Sequence, residues 1–187
     1  FKGIDLDPMA GFAASLGVKL EIRPELGGYG DLIPALDRRE GDVAASSFAI
    51  TPQRQAIAEF STPYILQWDV AAARPDSKLR SLQDLRGKRV AVIEGSSHLE
   101  RLIALNLNPT IQLTKFVLEG YTAVVDREAD YTLMESRADV GEPVSAVYKD
   151  LRVVARVNET GYGIAMRKGS DLKAPLVTIR GSLSDYS

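Results

Sequence analysis

Short apolar runs suited to strands alternate with amphipathic stretches suited to helices along most of this chain, and Pro, Gly and capping residues mark the joins. That alternation constrains the fold more than any other feature. It predicts an α/β architecture whose strands are mainly parallel. Asp7 and Pro8 open a first helix, with Met9, Phe12, Ala13 and Leu16 on one face and Gly17 at its end. Val18, Leu20 and Ile22 then alternate with charged residues, the pattern of a half-buried strand. A second helix is expected to about Arg39 and a short buried strand over 43–45. Thr51 and Pro52 begin a third helix by the same cap-and-proline logic, and 65–73 is extended and apolar around Trp68 and Asp69.

The second half repeats the alternation. Ser81 and Asp84 have the spacing of a capping box for a short helix. A strand over 89–93, a tight turn at Gly95 and a helix from Ser96 or Ser97 follow, with Leu99, Leu102 and Ile103 as its buried stripe. Further strands are expected over 111–116, 131–134 and 161–166, with a helix over 121–127. No internal repeat or low-complexity segment interrupts the pattern.

Composition removes several functional classes. Lys plus Arg is 23 against 25 for Asp plus Glu, so the chain lacks the basic excess that nucleic acid would require. With no cysteine there is no disulfide, no thiolate nucleophile and no cysteine metal site. The one histidine, His98, cannot by itself build a zinc site. It stands beside Ser96 and Ser97, but adjacency in sequence is not a catalytic triad, and neither a nucleophile elbow nor a phosphate loop is present. No run is long and apolar enough for a membrane span. The absence of cysteine fits an oxidising compartment.

Three places carry candidate chemistry. Gly95, Ser96 and Ser97 join a strand to a helix N-terminus, where unpaired N–H groups and the dipole favour an anion. Ser97 with Glu100 would also simply cap that helix, which leaves Ser96 for a ligand. Arg54 lies in the first turn of its helix, where a cation opposes the dipole; a surface arginine reaching away has the same signature. Glu135 falls at the carboxyl end of an apolar strand, the end at which open α/β sheets bind ligands, and a solvated loop carboxylate would look the same.

The ordered set Asp31-Leu32-Ile33-Pro34-Ala35-Leu36, Gly41-Asp42-Val43, Ile50-Thr51-Pro52-Gln53-Arg54 and Phe60-Ser61-Thr62-Pro63-Tyr64 resembles the first lobe of the polar amino-acid-type solute-binding proteins, family 3. The resemblance runs on through residues 82–92, Gly95-Ser96-Ser97, Ala129-Asp130-Tyr131 and 163–169, nearly the whole chain in order. It implies a type II periplasmic binding fold: two lobes, each a mainly parallel sheet flanked by helices, joined by two extended crossovers and closing on a ligand. Lobe one would be residues 1–67 plus 162–187, and lobe two residues 68–161. Arg54 would clamp a ligand carboxylate, for which a guanidinium has the right fork of donors. Ser96 and Ser97 would bind the same carboxylate, Glu135 the α-amino group, and Tyr29 would flank the ligand side chain. Ser46 and Ser47 match the loop that offers backbone groups.

Departures from that pattern bear on the ligand. Glu135 stands where the family has Asp, and Ala49 where it often has Thr. The family's first strand is missing ahead of Phe1, and the end of the chain is shorter than the family's closing helix. The resemblance implies an extracytoplasmic, monomeric binding domain, not an enzyme in its own right, that takes an amino acid or related carboxylate without a cofactor. Its partner would be the permease of an ABC transporter. The same domain also occurs fused to catalytic or sensor modules, as in F-type membrane-bound lytic transglycosylases and sensor kinases, where it would be regulatory.

Overall fold

The computed structural model describes residues 5–24, 27–137 and 150–177. The ends of the chain, which the sequence reading places in the first lobe, lie outside the described residues. The chain divides into two compact units: residues 1–65 with 161–187, and residues 66–160.

The first unit contains α1 (Leu6–Ser15), α2 (Leu32–Asp37), β1 (Val43–Ala44), α3 (Pro52–Ile57), β2 (Glu59–Phe60), β8 (Ala165–Met166) and α6 (Lys173–Val177). Its sheet has the order β1-β8-β2, with both outer strands antiparallel to β8. The expected mainly parallel sheet is therefore not what this unit forms. The returning strand β8 inserts between β1 and β2, and it runs against both. Ile33, Leu36, Phe48, Phe60 and Ala165 make one apolar cluster, and Met9, Phe12, Ile164, Met166 and Leu176 a second. Thr51 caps α3 as expected, its hydroxyl accepting from the Arg54 N–H at 3.2 Å.

The strand expected over 18–22 does not form. No described strand pairs with that segment, whose Val18 N–H instead donates back to the Ala13 carbonyl, and Val18 and Ile22 are 59% and 46% exposed. A strand is stabilised by its neighbour's hydrogen bonds and side chains, so alternation alone does not make one. This segment, α1, α2 and β1 instead line a cavity of about 910 Å³.

The second unit is built on β3 (Ile65–Ala73), β4 (Arg89–Ile93), β5 (Thr110–Thr114), β6 (Tyr131–Arg137) and β7 (Arg152–Tyr162), in the order β5-β4-β6-β3-β7. Its helices are α4 (Ser97–Ala104) and α5 (Val117–Val125). β5, β4 and β6 are parallel, as βαβ units require, whereas β3 is antiparallel to β6. The sheet is thus mixed. β3 carries the chain in from the first unit and precedes the βαβ winding, so its direction is not set by a helical crossover. β7 was legible in the sequence only at its end, because its alternation is weak and most of its residues are half-buried. Ser81 and Asp84 do bond to one another, but the segment they start is a single 3-10 turn over Gln83–Leu85.

One face of this sheet packs on Leu79, Leu85, Leu102 and Leu107, the other on Ala123, Val124 and Leu151. Val90, Val92, Tyr131 and Leu133 point to the first face, and Ala91, Thr132 and Met134 are buried as well. Tyr131 is fully buried, and burial together with the nearby Asp130 charge pushes its hydroxyl pKa up to about 12. The helix stripe also needs correction: Leu102 is 1% exposed, but Ile103 is 65% exposed. In α4 the Leu99–Leu102 pair faces the sheet, and Ile103, a further 100° or so around the helix, does not. Leu102→Ala should therefore lower stability in urea by about 2–5 kcal/mol. Ile103→Ala should stay within about 0.5 kcal/mol of wild type.

Candidate functional site

In the first unit the site residues gather around Phe48, which is fully buried. Its ring stacks on Tyr29 with centroids 6.3 Å apart and on Phe60 at 5.9 Å. The Arg54 guanidinium lies over the Phe48 ring, 4.1 Å from its centroid, and Nη1 donates to the Ala49 carbonyl at 3.0 Å. At 5% exposure Arg54 is a buried cation, not a surface arginine reaching away. The ring and the carbonyl hold the guanidinium in one direction, so little side-chain entropy remains to be lost on binding.

The two serines of the following loop separate. Ser47 adopts a positive φ of 45°, and its N–H and hydroxyl both donate to the Asp5 carboxylate at 3.1 Å. Tyr64 Oη donates to the same carboxylate. Burial, and then the hydrogen bond to Asp5, drive the Tyr64 hydroxyl pKa far above its ordinary value. The polar groups of Ser47 thus tie α1 to this loop. Ser46 is exposed and lines the cavity beside β1.

In the second unit Ser96 is the N-cap of α4. Its Oγ accepts from the Leu99 N–H at 3.3 Å and donates to the Ile93 carbonyl at 2.7 Å, and the residue is 3% exposed. The expectation that Ser97 caps and leaves Ser96 for a ligand is therefore reversed. Gly95, at φ 68°, turns the chain so that Ser96 becomes the cap, and Ser97 is the first helical residue. Ser97 is half-buried, at the positive end of the helix.

Glu135 lies late in β6, and β6 is parallel to β4, whose carboxyl end leads into α4. The acidic side chain and the helix N-terminus thus sit at the same end of adjacent parallel strands, the position from which α/β sheets bind ligands. His98 Nε2, on the first turn of α4, is 3.9 Å from Glu135 Oε1 and 3.3 Å from Asp69 Oδ1. Asp69 is 1% exposed, and its Oδ2 accepts from the Thr160 hydroxyl at 2.7 Å. Sequence reasoning did not assign His98 or Asp69 to the site. The available signal was a carboxylate inside an apolar strand, which must find donors when buried. No described group of His, Asp and Glu has the clustering of a metal site.

Comparison with known proteins places this geometry in context. The chain is 29% identical over 156 residues to the amino-acid-binding protein AabA of Dichelobacter nodosus, a match that takes in 81% of the chain and 62% of that protein. It is 36% identical over 143 residues to a membrane-bound lytic murein transglycosylase F of Ectopseudomonas mendocina, covering 72% of the chain and 29% of the relative. The chain therefore spans under two thirds of the first protein and under a third of the second. Among solved structures it matches the arginine-bound form of truncated ArgBP from T. maritima, with a TM-score of 0.84 and 27% identity over 97% of this chain and 85% of that one. The fold is of the periplasmic-binding-protein type. The family model for bacterial extracellular solute-binding proteins, family 3, matches residues 1–179, and the chain belongs to that family.

Proposed function

We propose that the chain binds a small α-amino acid outside the cytoplasm and hands it to the permease of an ABC transporter. Family membership supports an amino-acid ligand and an extracytoplasmic location. The observation that carries the reading is Arg54: a buried guanidinium fixed over an aromatic ring is a preformed receptor for a carboxylate. In this reading Arg54 takes the ligand carboxylate, Tyr29 flanks the ligand side chain, and Glu135 meets the ammonium. Ser97 adds a hydroxyl at the α4 N-terminus. Ser96 contributes through backbone geometry, because its hydroxyl is engaged in the cap. The loop at Ser46 and Ser47 offers backbone carbonyls.

A second reading is supported by the relatives named membrane-bound lytic murein transglycosylase F, of which the chain covers 28–39%. Here the domain is a sensor fused to a catalytic module and takes peptidoglycan fragments or amino acids. In both readings this domain binds and carries out no chemistry of its own.

A thermal-unfolding screen over the common amino acids and a set of muropeptides separates the two. A ligand at a hundred times its Kd adds about 2.7 kcal/mol to the native state and raises Tm accordingly. Stabilisation by free amino acids supports the first reading, and by muropeptides alone the second. Titration calorimetry with the best amino acid then tests the residues. Arg54→Ala should cost about 2–5 kcal/mol of binding, largely by leaving the ligand carboxylate desolvated and unpaired. Binding within a few-fold of wild type would exclude Arg54 as the anchor. Glu135→Gln keeps shape and removes charge, so it should weaken amino-acid binding at least tenfold, about 1.4 kcal/mol, with the fold intact. An unchanged affinity would remove Glu135 from the ammonium site.

A further inference from the structure

Asp69 and Glu135 are direct cross-strand partners in the antiparallel β3–β6 pair, so both side chains leave the same face of the sheet. Like charges directly opposite one another destabilise a sheet. Here one carboxylate is also almost completely buried, which makes an uncompensated charge costlier still. His98 comes within ion-pair distance of both, outside hydrogen-bond geometry: its Nε2 lies 3.3 Å from Asp69 Oδ1 and 3.9 Å from Glu135 Oε1, and its side chain is 5% exposed.

The elements around the ring carry other charges. α4 itself has Glu100 and Arg101, of opposite sign. On β4, Arg89 is committed to Asp130 at 2.9 Å. On β7, Arg152 donates to the carbonyls of Ser77 and Leu79, Arg156 lies over the Trp68 ring, and Glu159 is exposed. Asp69 Oδ1 and Glu135 Oε1 lie within 4.0 Å of Nε2. Burial of the imidazole favours its neutral form, and two carboxylates at these distances favour the charged one.

We propose that His98 is a positioning residue for Glu135: as an imidazolium within ion-pair distance of both Asp69 and Glu135, it offsets their repulsion and fixes the direction in which Glu135 faces a ligand. The ligand half of this inference rests on the reading of Glu135 as the ammonium partner; the charge state of the ring does not.

The chain has one histidine, so its imidazole nitrogens can be followed without assignment. The test is a nitrogen–proton correlation spectrum of the 187-residue ligand-free chain, recorded from about pH 5 to pH 9, across the range in which histidine titrates. The ring is expected to be more than half imidazolium at about pH 7, where a free histidine is mostly neutral. In Glu135→Gln the midpoint is expected to move to lower pH. A proton held more tightly in the folded state gives stability that is complete below about pH 6.5 and is lost as pH rises through the folded midpoint. Urea midpoints of wild type should therefore fall over that rise more steeply than those of Glu135→Gln. A wild-type ring that is neutral at about pH 6, or a midpoint and stability slope unchanged in Glu135→Gln, would overturn the proposal. Because these measurements contain no ligand, failure of amino-acid binding leaves their outcome intact. Amino-acid binding with a neutral ring would instead remove this inference and keep the functional one.

Discussion

β6 is held on both edges, by β4 running parallel and by β3 running antiparallel, and the second unit depends on that pairing. The parallel pairing brings the carboxyl ends of two strands together, and so puts the α4 N-terminus beside Glu135. The antiparallel pairing puts Asp69 opposite Glu135 and creates a charge conflict. His98 answers it from α4, and the Thr160 hydroxyl on β7 binds the remaining Asp69 oxygen. A polar site at the end of this sheet is thus built from four successive structural commitments, each needing the one before.

The first unit is organised in a different way. Its sheet consists of three very short strands, so side-chain packing carries more of its organisation. The Tyr29, Phe48 and Phe60 rings form a continuous stack that supports the Arg54 guanidinium. A cation kept against an aromatic face is oriented by the ring quadrupole. The Asp5 carboxylate does comparable structural service by gathering Ser47 and Tyr64, and this draws the Ser47 hydroxyl away from any ligand.

Much of this was legible in the chain itself. Thr51 and Pro52 announced α3, the run over 65–73 announced β3, and the alternation of element types announced an α/β fold. Arg54 and Glu135 stand at local positions, a first helical turn and a strand end, with a defined electrostatic meaning, but it was the ordered family motifs that assigned them to a site. The strand over 18–22 and the Ile103 face were misread for one shared reason. Periodicity reports which side chains could be buried together, and burial itself requires a neighbour that periodicity does not name.

The sequence by itself determined the alternation of elements, the start of α3 and the ordered motifs of a family 3 solute-binding protein, because caps, prolines, glycines and hydrophobic spacing act over a few residues. Tertiary structure alone decided the mixed and antiparallel character of the two sheets and the meeting of Asp69, His98 and Glu135. Those outcomes depend on strand direction and register between segments far apart in the chain. A one-residue change of register would turn each side chain to the opposite face, and no local pattern records which register wins.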